Sequence, residues 1–181
     1  MYNNRSSAWQ AALMGMLAAL ALALSWLERM IPLELFIPIP GLRLGFANIV
    51  GMFALFYLSP RMAFGVVMCR CGIQAMLFGT LSSFLFSSSG GILSFGVMLL
   101  LIRKGRNLSV FGVSMAGAAA HNLGQVLCAA GYFQSLSLLS YLSVLLILSI
   151  PVGLFTGFVA RLVFSKLHIQ PECPASRFLL Q

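Results

Sequence analysis

Apolar residues fall in long runs broken by short polar or proline-bearing stretches, and the runs have helical length. The first runs from about Ala8 to Leu27 and carries small residues at Ala11, Gly15, Ala19 and Ala23, spaced four apart. Such a stripe lets a second helix approach closely, either one of this chain or one of a separate membrane subunit. Residues 28–43, ERMIPLELFIPIPGLR, hold three prolines and form a loop, as a lid over a site or an interfacial connector. A short second span, Leu44 to Leu58, contains Asn48 between Gly45 and Gly51, and Pro60-Arg61 ends it. The third, Met62 to about Gly79, holds Arg70 near its centre and Gln74 one turn later on the same face. The fourth, about Phe84 to Ile102, is interrupted by Ser87-Ser88-Ser89-Gly90-Gly91, poor helix chemistry that predicts a loop or an unwound segment lining a cavity. The fifth lies between Leu108 and Phe133, and the sixth, Tyr141 to Phe164, carries Pro151 and Gly153, which predict a kink.

The fifth run holds the most informative stretch, GAAAHNLGQ at Gly117–Gln125. His121, Asn122 and Gln125 project from one side of a helix, and Ser114, Gly117 and Ala118 continue that side one turn earlier. A helix in lipid has no water for these groups, so they face a partner helix or a polar cavity. The two readings are interhelical hydrogen bonding without a ligand, and a solute site.

Composition sets the class. The chain has 181 residues, is 60% hydrophobic and 8% charged, where about 25% charged is usual for soluble domains. This predicts an all-α, polytopic membrane protein with six transmembrane helices in one domain, residues 1–167, and a disordered cytoplasmic tail, residues 168–181. Ala21-Leu22-Ala23 could mimic a signal-peptidase site, but the first run is long enough to span and is read as an uncleaved helix. The net charge of +8 reflects cations at the ends of apolar runs and does not indicate a nucleic-acid partner. With six spans, Arg5, Arg61, the cluster at residues 103–106, Arg161 and Lys166 share one side, which predicts both termini in the cytoplasm. The predicted location is a bacterial inner membrane, with lipids as neighbours.

The chemistry excludes several functions. Glu28, Glu34 and Glu172 are the acidic residues, and there is no Asp. Ser-His-Asp catalysis and a carboxylate metal centre are therefore not available. No G-x-x-x-x-G-K-[ST] motif is present for ATP. Two histidines, one in the tail, do not make a metal site, and neither metal nor cofactor is expected. Cys69, Cys71 and Cys128 read as packing residues and Cys173 as a free thiol. The chain reads as a binder or carrier, not an enzyme. A mid-membrane Arg70 costs about 3 kcal/mol or more. It is either satisfied by carbonyls and amides or faces an anionic ligand. The expected site joins Arg70, His121, Asn122 and Gln125 in one cavity, with Asn48, Gln74 and the Ser89, Gly90, Gly91 backbone around it.

The segments LGFANIVGMFAL, SSSGGILSFGVMLLL, FGVSMAGAAAHNLGQ and GLFTGFVARL, with the Arg70-bearing third span, resemble the bacterial Gx transporter family, also labelled heptaprenyl diphosphate synthase component I. The resemblance covers about Ala11 to Lys166, and AHNLGQ is its most specific element. More distantly, the chain resembles the substrate-binding S components of energy-coupling-factor transporters. That resemblance implies a small polar or anionic solute as ligand. It also implies that Ala11, Gly15 and Ala19, or the alternative register Ala8–Ala12, dock a membrane coupling subunit driven by cytoplasmic ATPases. The synthase label implies a different partner. Without Asp the chain cannot build the magnesium-diphosphate site of a prenyl synthase, so it would be an accessory membrane subunit. A non-transporting membrane scaffold is the third reading.

Overall fold

The computed structural model describes residues 7–30, 46–78, 80–104 and 109–167. Among these residues there are six α-helices: α1 Ser7–Arg29, α2 Asn48–Tyr57, α3 Pro60–Phe78, α4 Leu81–Lys104, α5 Val110–Phe133 and α6 Ser140–Leu167, with a 3-10 turn at Leu136–Leu139 before α6. No strand occurs among the described residues. The expected lid or connector at 31–43 and the expected disordered tail lie outside the described residues.

The helix ends follow local chemistry. Pro60 stands at the first position of α3, where its missing N–H costs nothing. Ser109 caps α5, its Oγ accepting from the Gly112 N–H at 3.2 Å. Gln134 closes α5 in the left-handed region, at φ 50°.

α5 is the centre of the bundle, packed between α4 and α6, while α3 lies against α4, and α1 and α2 against α3. Glycines set these approaches. A Cβ on Gly124 would stand 2.9 Å from the Gly90 Cα and the Ser89 carbonyl, and one on Gly153 would stand 2.5 Å from the Met115 Cα. α5 therefore meets α4 and α6 backbone to backbone, the packing that small residues permit in lipid. A largely apolar core joins Val50, Met52, Phe56, Val66, Met98, Ile102, Val110 and Val113.

The outside of the bundle is apolar too. Leu20 and Trp26 on α1, Ile92 and Leu100 on α4, and Ile147, Phe155 and Phe158 on α6 are exposed. A surface of this kind suits a hydrocarbon solvent. Among the described residues, three stretches are long and apolar enough to cross a membrane: Ala8–Glu28, Leu81–Lys104 and Leu136–Val163. α5 is as long as α4, but its mean hydropathy is lowered by polar groups that it turns inward: His121, Asn122 and Gln125 are all buried. α2, with 10 residues, reaches only about 15 Å at 1.5 Å per residue, half a hydrocarbon core. The second run was expected to start as a span at Leu44; the helix starts at Asn48.

Two other expectations need correction. The Ser87–Gly91 stretch neither unwinds nor loops, since α4 runs unbroken through it. Two of its serines bond back to the helix: Ser88 Oγ donates to the Phe84 carbonyl at 2.7 Å and Ser89 Oγ to the Phe86 carbonyl at 3.0 Å. Gly90 and Gly91, buried against neighbours, give up helix propensity for close packing. Glu28, read from the sequence as a loop residue, lies in the last turn of α1 and is buried.

The small-residue stripe of α1 faces outward. Ala8, Ala11, Ala12, Gly15, Ala19 and Ala23 are exposed, whereas Leu17, Ala18, Ala21 and Ser25 turn in toward the bundle. A Cβ on Gly15 would meet nothing within 4 Å. Packing against the described helices of this chain does not use the stripe.

Candidate functional site

Polar side chains gather on both faces of α4 at the level of its two glycines. On the α3 side, a Cβ on Gly91 would meet Val67 Cγ1 at 3.0 Å, Arg70 Nη2 at 3.7 Å and Cys71 Sγ at 3.8 Å. The guanidinium thus lies beside bare α4 backbone, where an added Cβ would touch it at ordinary contact distance and press on Val67. Arg70 is 4% exposed. Its single hydrogen bond among the described residues is Nη2 to Cys71 Sγ at 3.5 Å, a weak acceptor, and no carboxylate bonds it.

Gln74 follows Arg70 by one turn and is also 4% exposed; neither its Oε1 nor its Nε2 has a hydrogen-bond partner among the described residues. Ser87, 3% exposed on α4, likewise has an unpartnered Oγ. Residues 79–80 join α3 to α4, so the two helices form an antiparallel hairpin. One turn from Arg70 toward that connection is Gln74, and one turn from Gly91 toward it is Ser87, which puts the two groups at one level of the interface. α2 closes the same region. Gly51 packs on Val67 Cγ2, 3.3 Å from its would-be Cβ. Asn48 lies one turn before Gly51 on the same face, and its Nδ2 is buried with no hydrogen-bond partner among the described residues. Each unpaired group costs about 1–3 kcal/mol when buried. Three such side chains, Asn48, Gln74 and Ser87, at one α2–α3–α4 junction are not explained by packing.

On the α5 side, a Cβ on Gly90 would meet Gln125 Cγ and the His121 carbonyl at 2.8 Å and His121 Nδ1 at 2.9 Å. His121 Nε2 and Gln125 Nε2 bond each other along α5. Ser89 Oγ bridges the helices by donating to the Gly124 carbonyl at 3.1 Å. Asn122 points elsewhere: its Nδ2 donates to the Leu145 carbonyl of α6 at 2.9 Å, while its Oδ1 is unpartnered. Ser114 and Thr156 hold α5 to α6 lower down, with 2.5 Å between their hydroxyls.

The expected residues therefore divide. Gly91 lies against Arg70, with Gln74 one turn along α3, and Asn48 is on the α2 face that packs on α3. His121, Gln125, Ser89 and Gly90 form the α4–α5 contact, reaching α4 one residue away from Arg70. Asn122 serves α6. Ser87 and Cys71, which border the α2–α3–α4 junction, were not among the expected residues. Ser87 carried a readable signal, its four-residue spacing from Gly91, but a serine run offers several such spacings. No group of three or more His, Cys, Asp or Glu able to hold a metal occurs among the described residues.

The profile of one family, described as heptaprenyl diphosphate synthase component I, matches residues 17–163. The chain belongs to that family. The match runs from α1 into α6 and takes in both polar clusters. No curated protein and no solved structure matches the chain. The family description names a component, and membership agrees with a helical membrane protein that lacks the acidic residues of a catalytic prenyl synthase subunit.

Proposed function

We propose that this member of the heptaprenyl diphosphate synthase component I family is a multi-pass membrane protein that binds a small anionic solute at Arg70 and passes it across the membrane with a partner. The observation that carries the reading is the buried Arg70 guanidinium, to which no carboxylate is bonded among the described residues. A buried cation without a counter-charge is costly, and an anionic ligand would balance it. Gln74 and Asn48 beside it offer neutral hydrogen bonds. His121 and Gln125 would support the site from the far face of α4.

The site's depth fits the same picture. The described hairpins put Arg61 at the start of α3, Arg103 and Lys104 at the end of α4, and Arg161 near the end of α6 at one end of the bundle, all exposed. Under the positive-inside rule that end is cytoplasmic, with six spans and both termini inside. Gln74 is about 6 Å from the other end of α3 at 1.5 Å per residue, so the site would open outward. In a cysteine-free background, Arg61→Cys and Lys104→Cys should react with a membrane-impermeant thiol reagent only after the inner face is opened. Thr80→Cys should react in intact cells. Labelling of Lys104→Cys from outside would overturn this topology.

The outward stripe Ala11, Gly15, Ala19 would dock a coupling subunit, as the resemblance to S components of energy-coupling-factor transporters implies. Native mass spectrometry of the protein released from its own membranes in mild detergent tests ligand and partner together. A retained small anion and an associated membrane subunit are expected. Gly15→Leu and Ala19→Leu should remove the subunit and leave the anion, because no described residue lies within 4 Å of a Cβ on Gly15. Unfolding of either variant would make the stripe an internal contact.

A second reading comes from the family description: an accessory membrane subunit of a heptaprenyl diphosphate synthase. Co-purification with a soluble, aspartate-rich synthase and no bound small anion would favour it.

A further inference from the structure

We infer that the α2–α3–α4 site selects an anion that also carries an amide-like edge, a neighbouring N–H donor and carbonyl acceptor on a planar group; this rests on the anion-binding reading above. Gln74 carries the inference. Its carboxamide is 4% exposed, and both its oxygen and its nitrogen lack partners among the described residues. A buried amide pairs both ends at once only with a group that presents a donor and an acceptor side by side. Carboxamides, lactams, ureides and the imide edges of heterocycles have that pattern. An ionised carboxylate does not, since it can only accept.

Arg70 and Gln74 are one helical turn apart, so their Cβ atoms are about 5–6 Å from each other. One ring with a carboxylate on one side and an imide on the other can reach both. Ser87 Oγ, unpartnered across the interface at the level of Gln74, can donate to the ring carbonyl or accept from its N–H. Asn48 Nδ2 is a further unpartnered donor, suited to a second anion oxygen. Gly91 lets α4 lie close to α3 here, since a Cβ would stand 3.0 Å from Val67 Cγ1 and 3.7 Å from Arg70 Nη2. Four groups on three helices thus form a complementary set: a cationic fork and an amide donor for the charge, and a carboxamide and a hydroxyl for the edge.

The test is binding to the purified full-length protein with three ring probes of similar size: orotate, with carboxylate and imide; benzoate, with carboxylate alone; and uracil, with the imide edge alone. Orotate should bind at least about tenfold more tightly than either of the others, the value of one well-placed hydrogen-bonded group. Gln74→Leu and Ser87→Ala should each bring orotate down toward benzoate. Gln74→Leu should also raise the thermal midpoint of the unliganded protein, since it removes a buried amide with no partner. Should Gln74→Leu not fold, Ser87→Ala still reads the edge. If benzoate matches orotate, the edge inference falls and anion binding stands. Uracil binding as tightly as orotate, unaffected by Arg70→Gln, would sink the anion reading. No binding by any probe would sink both.

Discussion

Arg70→Gln is expected to weaken anion binding by about 30-fold to several thousandfold, the 2–5 kcal/mol typical of losing one partner of a buried charged pair. The fold should survive the change. In the unliganded protein the guanidinium has Cys71 Sγ as its one hydrogen-bond partner among the described residues, so little is lost when the charge goes. The thermal midpoint without ligand should stay level or rise, because an uncompensated buried cation has been removed. Arg70→Lys should keep part of the affinity: it retains charge but loses the planar fork that grips two oxygens. Titration calorimetry and a melting curve on the same samples separate the two effects. Unchanged affinity in Arg70→Gln, or a large drop in its unliganded midpoint, would make Arg70 a structural residue.

Gly124→Leu should abolish the folded, monodisperse protein. The atoms that a side chain would meet are the Ser89 carbonyl and the Gly90 backbone, at 2.9 Å. Backbone cannot swing aside as a long side chain can, so α4 and α5 would have to separate. That movement breaks the Ser89–Gly124 hydrogen bond and pulls Gly90 off His121 and Gln125. Overpacking commonly costs about 1–3 kcal/mol, and here the hydrogen bond across the main helix contact is lost as well. Gly124→Ala should show the same effect in milder form, as a lower midpoint. Gly96 and Gly131 are the contrast, since a Cβ on either meets nothing within 4 Å. Gly96→Ala should be neutral or stabilising by up to about 1 kcal/mol, because helical alanine is favoured over glycine. Gel filtration with fluorescence detection, followed by thermal melting, checks the series. A well-folded Gly124→Leu would mean that the α4–α5 crossing is looser than described.

The sequence by itself determined the helical class, the apolar exterior and most helix positions, because run length and residue type are local properties. It also marked Arg70, Gln74, Asn48, His121, Asn122 and Gln125 as costly in an apolar setting, since that cost depends on residue type alone. What it could not assign was the direction in which each polar group points. Asn122 sits beside His121 in the chain, yet a rotation of about 100° per residue turns it to α6 while His121 meets α4. The serine-glycine stretch looked like a break because propensity counts one residue at a time. Only the packed bundle showed that α5 lies close enough for Gly90 and Gly124 to be a contact instead. The α1 stripe was equally ambiguous, since small residues serve internal and external packing alike, and the tertiary structure turned it outward. Partner choice between helices is a long-range property, settled by which backbones can approach. For the same reason Ser87 became visible as a site residue only once α3 and α4 were in register.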